Sequence, residues 1–569
     1  MTPGGRRGET SALRHAVRPG AYRDSLVLLQ LQRGLAALPG VLEAGVVMAT
    51  PANREILAER GLLPADVGAE ADDLLVVVKA TDAAAADAAL GRVEELLRAR
   101  RAPASADFRP RTLAAALREL PQARWVLVSV PGPHAAAVAR EAVDAGRHVF
   151  LYSDNVPLAE EVELKRRAAA GGLLVLGPDC GTALIGGVGL GFANRVRPGP
   201  VGLVGASGTG LQAVMSRLHA LGSGVSRAIG TGGRDLFEPV GGSTTLQALD
   251  LLRRDPSTEV IVLISKPPAP AVAARVLAAA REAGKPVVVY FLGQPLAGRR
   301  LGPIRFAASL AEAAREAAAL AGRVEPRGSS EPATTGFLRG LFSGGTLAYE
   351  ALTALDPLLG GVRSNAPLRP EQRLADGRRG AGHTIVDLGA DEFTAGRPHP
   401  MIDHDLLLAR LRQEAADPET AVVLLDVVLG DGAHPDPAAD LAPAIAESRA
   451  AAAAEGRALD VIVLMIGTEE DPQELAGQVA RLTAAGAAVV GRVEEAVERI
   501  WRRLAPAPPP APEVSLTDLE PPLAAVNIGL ESFHDSLAAQ GAAALHVDWR
   551  PPARGDEKLA GILARMRAT

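Results

Sequence analysis

The chain has 569 residues, of which 48% are hydrophobic and 22% are charged, and its formal net charge is −6. These values are typical of a folded protein with three to five domains, and the mild acidity argues against a surface for nucleic acid or for an anionic membrane. The single cysteine, Cys180, excludes an intrachain disulfide and suits a reducing compartment. No apolar run is long enough to span a membrane, so we expect a soluble, cytoplasmic protein.

The first hundred residues predict a small α+β domain. A disordered tail of about 12 residues is followed by alternating helices and strands, at residues 25–38, at 41–48, after Pro51, at 73–79 and at 82–98. Elements of this type and order are typical of a ferredoxin-like sandwich. Packing or regulation is the usual role of such a module.

From about Thr112 the strands and helices alternate, which predicts a parallel α/β unit. Residues 130–133 and 152–155 follow two of its strands, at the ends where such sheets bind ligands. A third strand ends near Cys180. This cysteine is either a nucleophile or a small packed residue, and the lack of a neighbouring histidine favours packing.

Residues 201–212 combine an apolar strand, a glycine-rich turn and the start of an amphipathic helix. Glycines at this turn permit close backbone approach, while Ser207 and Thr209 can cap the helix or contact an anion. Free N–H groups and the helix dipole favour a phosphate there. The turn either binds an anion or serves only to pack the strand against the helix. We favour the anion-binding interpretation. The spacing matches neither a P-loop nor a dinucleotide fingerprint.

A second copy of this pattern begins near Gly336, with Gly345 and Thr346 in the places of Gly208 and Thr209. Tandem α/β domains imply a pseudo-two-fold pair, in which two helix N-termini can face one anion. Two further glycines, after a later strand, predict another phosphate-facing turn. The predicted anion-binding residues are Ser207, Gly208, Thr209, Gly210, Gly344, Gly345, Thr346, Gly430 and Gly432.

A polar cluster lies in the second copy, at Asp387, Asp391, Glu392, Arg397, His399, Asp403 and His404. Arg397 can bind a substrate carboxylate and His399 can exchange protons, although a solvated, charged loop has the same composition. Candidate ligands for Mg²⁺ are also available nearby, at the carboxylates Asp426, Asp431 and Asp436 and at His434. The glycines there favour the phosphate-facing turn, so we predict no metal.

The carboxyl-terminal region begins with a stiff, proline-rich linker at residues 505–522. Residues 523–569 then predict two short strands around a helix. We expect a small appendage that covers a sheet edge or meets a partner.

Several motifs resemble the α subunit of succinyl-CoA synthetase, at residues 177–181, 202–209, 232–235 and 255–263. The second copy is similar to the carboxyl-terminal ligase domain of that enzyme's β subunit, through residues 385–389 and 424–432. From about Leu13 to Met566 the chain resembles the FdrA family. The motifs that support this resemblance lie at residues 49–53, 152–155, 265–268, 396–403, 467–472 and 526–529.

The resemblance implies an α/β fold, with tandem flavodoxin-like ligase domains of succinyl-CoA synthetase type after a partial Rossmann-like domain and a small α+β N-terminal domain. The predicted boundaries are 1–12 for the tail, 13–104 for the ferredoxin-like domain, 105–197 for the partial CoA-binding-like domain, 198–328 and 329–504 for the ligase domains, 505–522 for the linker and 523–569 for the appendage.

The resemblance also implies departures from the parent enzyme. Pro303 stands at the position of the parent's phosphohistidine, and Lys266 replaces the glutamate that orients it. The glycine-rich half of the CoA-binding domain is missing, its place taken by the ferredoxin-like module. The CoA pocket is therefore half present, through Pro131, Gly132, Ser153 and Asn155, and no cofactor is expected with certainty.

Members of the FdrA family are implicated in carbamoyl transfer between oxamate and carbamoyl phosphate in allantoin catabolism, alongside companion subunits. By resemblance, we expect an oligomeric subunit that binds a small acyl phosphate and a carboxylate. Lys266 is either a phosphate ligand or a surface charge at a loop end, and the predicted catalytic residues are Lys266, Arg397 and His399. An acyl-CoA ligase subunit and a non-catalytic scaffold that binds metabolites remain open alternatives.

Overall fold

The structure, a computed structural model, describes residues 11–21, 25–64, 67–98, 109–294, 299–322, 335–377, 379–395, 398–508 and 510–551. The chain divides into two compact units, Met1–Arg111 with Asp548–Thr569, and Thr112–Val547. Within the described residues, no helix has both the length and the hydropathy needed to cross a membrane.

The first unit contains a three-stranded antiparallel sheet of order β1-β3-β2. Its elements are β1 (Ala12–Arg18), α1 (Ser25–Ala36), β2 (Val41–Met48), α2 (Pro51–Glu59), β3 (Leu74–Ala80), α3 (Ala83–Gly91) and α4 (Val93–Arg98). The central strand β3 carries five consecutive side chains with no exposure, at 74–78, because helices and neighbouring strands cover it.

Two expectations for this unit need correction. Strand β1 was not predicted, because its side chains are almost all half-buried and give no clear alternation of apolar and polar residues. The helix predicted at 82–98 is two helices with a break at Arg92, next to Gly91, a residue type that weakens helices. Residues 1–10 of the predicted tail lie outside the described residues.

The second unit begins with a parallel sheet. Its first elements are α5 (Leu113–Glu119), β4 (Trp125–Val128), α6 (Gly132–Asp144), β5 (His148–Leu151), α7 (Leu158–Ala170) and β6 (Val175–Leu176). These four-residue strands are fully buried, as expected when helices cover both faces of a parallel sheet.

An eight-stranded sheet follows, with the order β13-β14-β12-β11-β9-β10-β7-β8. Its elements are β7 (Thr182–Ile185), β8 (Val188–Gly191), β9 (Pro198–Ala206), α8 (Gly208–Ala220), β10 (Val225–Gly230), α9 (Ser243–Arg254), β11 (Val260–Ser265), α10 (Pro270–Arg281), β12 (Val287–Phe291), β13 (Arg300–Leu301), β14 (Ile304–Phe306) and α11 (Leu310–Leu320). The hairpin of β7 and β8 pairs with β10, so it belongs to this sheet, although the predicted boundary at 197 assigned it to the preceding domain.

The third sheet of this unit is parallel throughout, with the order β16-β17-β15-β18-β19-β20. Its elements are β15 (Phe337–Phe342), α12 (Gly345–Leu359), β16 (Arg363–Ser364), β17 (Thr384–Asp387), α13 (Asp391–Thr394), α14 (Asp405–Ala416), β18 (Thr420–Val428), α15 (Pro437–Ala454), β19 (Asp460–Ile466), α16 (Leu475–Ala484), β20 (Ala488–Val490) and α17 (Val493–Leu504).

The two ligase-type sheets repeat one topology. In each, the strand before the glycine turn lies between two later strands of the chain: β9 between β10 and β11, and β15 between β17 and β18. The predicted α/β fold with tandem ligase domains is therefore confirmed.

The carboxyl-terminal segment covers a sheet edge, one of the two roles expected of the predicted appendage, and it does so by adding strands to that sheet. Its strands β21 (Ala524–Ile528) and β22 (Ala543–Val547), joined by helix α18 (Glu531–Ala539), extend the first parallel sheet to the order β22-β21-β4-β5-β6. Ile528 pairs in register with Val128, 400 residues earlier in the chain. The half that seemed to be missing from the Rossmann-like domain is therefore supplied from the far end of the sequence.

The predicted linker is anchored to the second unit. Trp125 Nε1 donates to the carbonyl of Asp518 at 3.0 Å, and Arg227 donates to that of Leu519. Val514 and Leu519 are fully buried. The segment thus carries the chain back to the first sheet along a fixed path.

Candidate functional site

The first glycine turn joins β9 to α8. Ser207 is the N-cap residue, and its hydroxyl accepts the Gly210 N–H at 3.2 Å. A Cβ on Gly210 would lie 2.8 Å from Ser207 Oγ, so this tight cap requires glycine. No acceptor is found among the described residues for the N–H groups of Gly208 and Thr209, which precede the first intrahelical bonds. These two donors are available to an anion.

Two side chains add polar groups to this turn. Thr182 is 1% exposed, and its Oγ1 has no hydrogen-bond partner in the described part of the chain. It lies 3.5 Å from the position that a Cβ on Gly208 would occupy. Lys266 is exposed and directly follows Ser265, which pairs in register with Ala206. Lys266 and the turn therefore follow neighbouring strands at the same edge of the sheet.

A buried ion network that the sequence did not indicate supports the adjoining loop. Lys165 Nζ lies 2.7 Å from Asp235 Oδ1 and donates to the carbonyl of Thr231 at 2.9 Å. Asp235 also accepts from the backbone and hydroxyl of Thr245. Thr231 in turn donates to the carbonyl of Gly205 at 2.9 Å. The network therefore fixes the β10 loop beside the first glycine turn.

The second glycine turn, between β15 and α12, has a different chemistry. Asp426 at 1% exposure accepts hydrogen bonds from Ser343 N (2.6 Å), Ser343 Oγ (2.9 Å) and Gly344 N (3.1 Å). Burial raises the pKa of Asp426 to about 6. A Cβ on Gly345 would lie 2.8 Å from Asp387 Oδ2.

Two carboxylates thus flank this turn, and one already takes its N–H groups. These carboxylates disfavour the predicted second anion cradle at Gly344, Gly345 and Thr346, although of its three N–H groups only that of Gly344 has an acceptor among the described residues. An anion placed there would meet negative charge, whereas a cation or a proton-bearing group would be favoured.

A cleft of about 510 Å³ opens at the second turn. Its lining residues all belong to the second ligase domain: Ser343, Gly344, Gly345, Thr346, Leu347, Asp387, Gly389, His399, Met401, Val428 and Ile466. No residue of the first glycine turn lines it, so the expected arrangement, with both turns facing one anion, is not seen in this cleft.

His399 and Asp387 give the cleft its acid–base groups. His399 Nδ1 accepts the N–H of Met401 at 3.3 Å. Nε2 therefore carries the proton of the neutral ring. A Cβ on Gly389 would lie 2.9 Å from His399 Nε2 and 3.2 Å from Asp387 Oδ1, so the glycine leaves room for both groups. Burial raises the pKa of Asp387. Arg397, the third predicted catalytic residue, lies outside the described residues.

The remaining polar predictions for this domain are mostly accounted for by internal contacts. The side chain of Gln473 accepts a hydrogen bond from the Gly430 N–H and donates one to the Gly430 carbonyl. The Gly430 N–H is therefore not available to a phosphate. Gly432 has open space where a Cβ would lie and no described contact of its own. Asp436 forms a two-point ion pair with Arg481. With Asp426 buried at the second turn, the possible Mg²⁺ ligand set is not assembled.

Family models match three segments of the chain. A succinyl-CoA ligase like flavodoxin domain matches residues 198–324, and a CoA-ligase domain matches residues 341–500. An AllF heavy metal-associated domain matches residues 11–111. The chain therefore carries two domains of succinyl-CoA synthetase ancestry after an AllF-type module.

Among curated proteins, the uncharacterised protein YahF of Escherichia coli K12 is 42% identical over 486 residues, which cover 83% of this chain and 94% of YahF. This chain belongs to the YahF family. The α subunit 2 of an ADP-forming succinate–CoA ligase from Archaeoglobus fulgidus is 31% identical over 183 residues, 31% of this chain and 61% of that subunit. Among solved structures, an apo dinucleotide-forming acetyl-coenzyme A synthetase 1 from Ca. Korarchaeum cryptofilum covers 66% of this chain and 82% of its own, at 19% identity and a TM-score of 0.30.

This YahF-family chain has no histidine from Val287 to Phe306, the region that includes Pro303. The carbonyl of Pro303 accepts the N–H of Val287, the first residue of β12. Pro303 therefore lies at the edge of the sheet where the parallel strands begin, whereas the first glycine turn lies at the edge where they end. The two edges are about 15 Å apart, the length of a five-residue strand such as β12. The first ligase domain contains one histidine, His219, in the last turn of α8.

The Rossmann-like sheet of this YahF-family member does not fit CoA. Strand order reverses between β21 and β4, where such sheets bind diphosphates. There the Leu530 N–H donates to Ser129 Oγ at 2.8 Å, and Glu531 places a negative charge in the first turn of α18. A Cβ on Gly529 would lie 2.5 Å from the carbonyl carbon of Ser129, so the backbones are already in close contact.

The four predicted CoA-binding residues are also used in packing. Ser153 Oγ donates to the Val130 carbonyl beside Pro131, and a Cβ on Gly132 would lie 2.3 Å from the carbonyl oxygen of Asp154. Asn155 has a φ of 54° and closes the same loop. The half pocket expected from the sequence is thus a closed contact between two loops.

Cysteine chemistry is also disfavoured. Cys180 is 2% exposed, and burial raises its pKa to about 12, so the thiolate needed for nucleophilic attack does not form near neutral pH. The open choice for Cys180 is resolved in favour of packing. The AllF-type module contains no cysteine, so it has no thiolate with which to bind a heavy metal.

Proposed function

We propose that this chain is an FdrA-type subunit that binds a small acyl phosphate at the first glycine turn and takes part in carbamoyl transfer. The observation that supports this most is the turn itself, where the N–H groups of Gly208 and Thr209 lack acceptors among the described residues. The unpaired Thr182 hydroxyl and the Lys266 ammonium add a further donor and a positive charge. Together they suit the oxygens of one phosphate group.

The reaction needs no covalent phosphoenzyme on this chain. In the transfer, an acceptor nitrogen attacks the carbamoyl carbon, a C–N bond forms, the C–O bond to phosphate breaks, and the acceptor loses a proton. Lys266 and the N–H groups would stabilise the phosphate that leaves. The reverse reaction makes carbamoyl phosphate from inorganic phosphate and the N-carbamoyl compound.

The cleft of the second ligase domain supports acceptor binding. Asp387 and His399 provide a base and an N–H donor for an amide-bearing acceptor such as oxamate. Arg397 remains the predicted partner of the acceptor's carboxylate. Companion subunits, as in other FdrA-type systems, would complete the assembly, and a reducing cytoplasm suits the single thiol.

The family models favour a second candidate, an acyl-CoA ligase subunit. The absence of a histidine between Val287 and Phe306 and the closed crevice at Ser129 weigh against it. Calorimetric titration of the full chain with carbamoyl phosphate and with CoA distinguishes the two candidates. We expect heat from carbamoyl phosphate and none from CoA.

Two charge variants test the site in that titration. Lys266→Met should weaken carbamoyl phosphate binding by roughly 10-fold or more, the scale of one charge-assisted contact. Arg217→Met removes one positive charge from the exposed far end of α8 and should leave binding unchanged. Tight CoA binding that is insensitive to Lys266→Met would refute the proposal and favour the ligase.

A further inference from the structure

Three segments of the second ligase domain bring two histidines and an aspartate together. His404 precedes α14, His434 lies in the loop after β18, and Asp440 is in the first turn of α15. The first segment also carries His399 and Met401, which line the cleft. His434 N donates to the carbonyl of Met401 at 2.8 Å, so the cluster contacts the wall of the cleft.

The donor atoms have the spacing of ligands around one ion. Asp440 Oδ2 lies 3.0 Å from His434 Nε2 and 3.5 Å from His404 Nδ1, and all three atoms lie within 4.8 Å of one another. Two ligands at ordinary zinc distances in a tetrahedral site are about 3.3 Å apart. The imidazole rings stack with centroids 4.2 Å apart, which directs both toward the same carboxylate.

His404 Nδ1 lacks the hydrogen bond that its burial requires, because its contact with Asp440 Oδ2 at 3.5 Å does not form one. Its side chain is 6% exposed, yet Nδ1 forms no hydrogen bond with any described residue. Buried polar atoms are nearly always satisfied. A metal ion between the rings and the carboxylate would satisfy this nitrogen.

The other two ligands leave one side open. His434 and Asp440 are 19% and 39% exposed, so water can reach the cluster. His434 Nδ1 accepts the N–H of Asp436 at 3.2 Å. Binding through Nε2 requires the ring proton to move to Nδ1, and the contact with Asp436 would then be given up. Metal binding should therefore shift the loop at 434–436.

We propose that His404, His434 and Asp440 bind one divalent transition-metal ion of zinc type, with water completing its coordination. Two imidazoles and one carboxylate suit such an ion better than Mg²⁺, which prefers oxygen ligands. The ion would tie the β18 loop and α15 to the segment that carries His399. It would thus hold one wall of the cleft in place.

Cobalt binding to the full chain, prepared without a histidine tag and stripped with a chelator, tests this site. Co²⁺ has visible d–d absorption that reports nitrogen and oxygen ligation, and elemental analysis gives the stoichiometry. We expect about one equivalent of Co²⁺, displaced by Zn²⁺. Losing a residue that only supports a metal ligand weakens metal binding by roughly 10–100-fold. His434→Gln and Asp440→Asn remove proposed ligands themselves, so each should weaken Co²⁺ binding by more than that.

His534→Gln alters a partly exposed histidine on α18 and serves as the matched control, so it should bind Co²⁺ as the unaltered chain does. Circular dichroism of each variant establishes that it is folded, which matters most for the buried His404→Ala. The proposal is refuted if the chain binds no stoichiometric Co²⁺, or if folded His434→Gln and Asp440→Asn variants bind it as tightly as the control.

Discussion

Replacing the buried Asp426 with asparagine should remove a pH-dependent part of the chain's stability. Burial raises the pKa of this carboxyl from 3.8 to about 6, even though Ser343 and Gly344 donate hydrogen bonds to it. Because its pKa is higher in the folded state than in the unfolded state, folding is favoured while the group is protonated. That contribution is complete below about pH 4 and is lost as the pH rises through about 6.

The size of the effect follows from the two pKa values. Their difference, 6 − 3.8, is 2.2 units, and at about 1.36 kcal/mol per unit the folded state loses about 3 kcal/mol between low and neutral pH. Asparagine has nearly the same shape and does not titrate. Its amide N–H₂ would face the Gly344 N–H, which adds a penalty of roughly 1–3 kcal/mol that does not vary with pH.

Urea denaturation of both proteins from about pH 4 to pH 7 measures the difference in unfolding free energy at each pH. All other titrating groups are common to the two proteins, so the difference isolates Asp426. We expect the stability of Asp426→Asn relative to the unaltered chain to rise with pH by most of that 3 kcal/mol. A difference that does not vary with pH would refute the assignment of a raised pKa.

Three further outcomes are expected. Arg339 is 1% exposed and pairs with the buried Glu414 and the half-buried Asp417, while Glu414 also pairs with Arg410. Arg339→Met should therefore cost about 1.5–3 kcal/mol in urea denaturation, the scale of losing hydrogen bonds to charged groups, and a loss below about 1 kcal/mol would contradict this. Deleting residues 523–569 removes two strands from the first sheet of the second unit. The loss in unfolding free energy should be on the scale of a whole domain, about 5–15 kcal/mol, and should appear as rapid proteolysis within residues 112–197. Unchanged protection of these residues against proteolysis would contradict the observed pairing. Cys180 should resist a thiol reagent in the native chain at neutral pH and react at once in urea, whereas fast native labelling would contradict its burial and its pKa of about 12.

The first glycine turn could be predicted from sequence because its signals are local. Glycines, the Ser207 cap and the flanking apolar periodicity lie within about a dozen residues, and the structure has a strand, a capped turn and a helix there. The tandem ligase domains were predictable for the same reason, since their strands are short apolar runs at repeated intervals. The unpaired Thr182 hydroxyl was not, because its proximity to Gly208 depends on a hairpin that joins the sheet from a preceding segment.

Long-range pairings account for most of what the sequence missed. No local signal indicates that Val526 and Ile528 pair with β4, because the pairing spans about 400 residues and depends on the path of the proline-rich segment. The second glycine turn seemed to repeat the first, yet Asp426 reaches its N–H groups from the neighbouring strand β18. A carboxylate at such a turn changes its preferred ligand, and periodicity alone does not reveal it.

The most direct test of the central claim uses carbamoyl phosphate labelled with ³²P and the full chain. Equilibrium dialysis measures bound label in the native protein, and denaturation followed by washing at alkaline pH measures label that is covalently attached. We expect about one equivalent of label in the native chain, reduced in Lys266→Met, and none after denaturation, because the first ligase domain has no histidine near its glycine turn. Label that survives denaturation, or a native chain that binds none, would contradict the account.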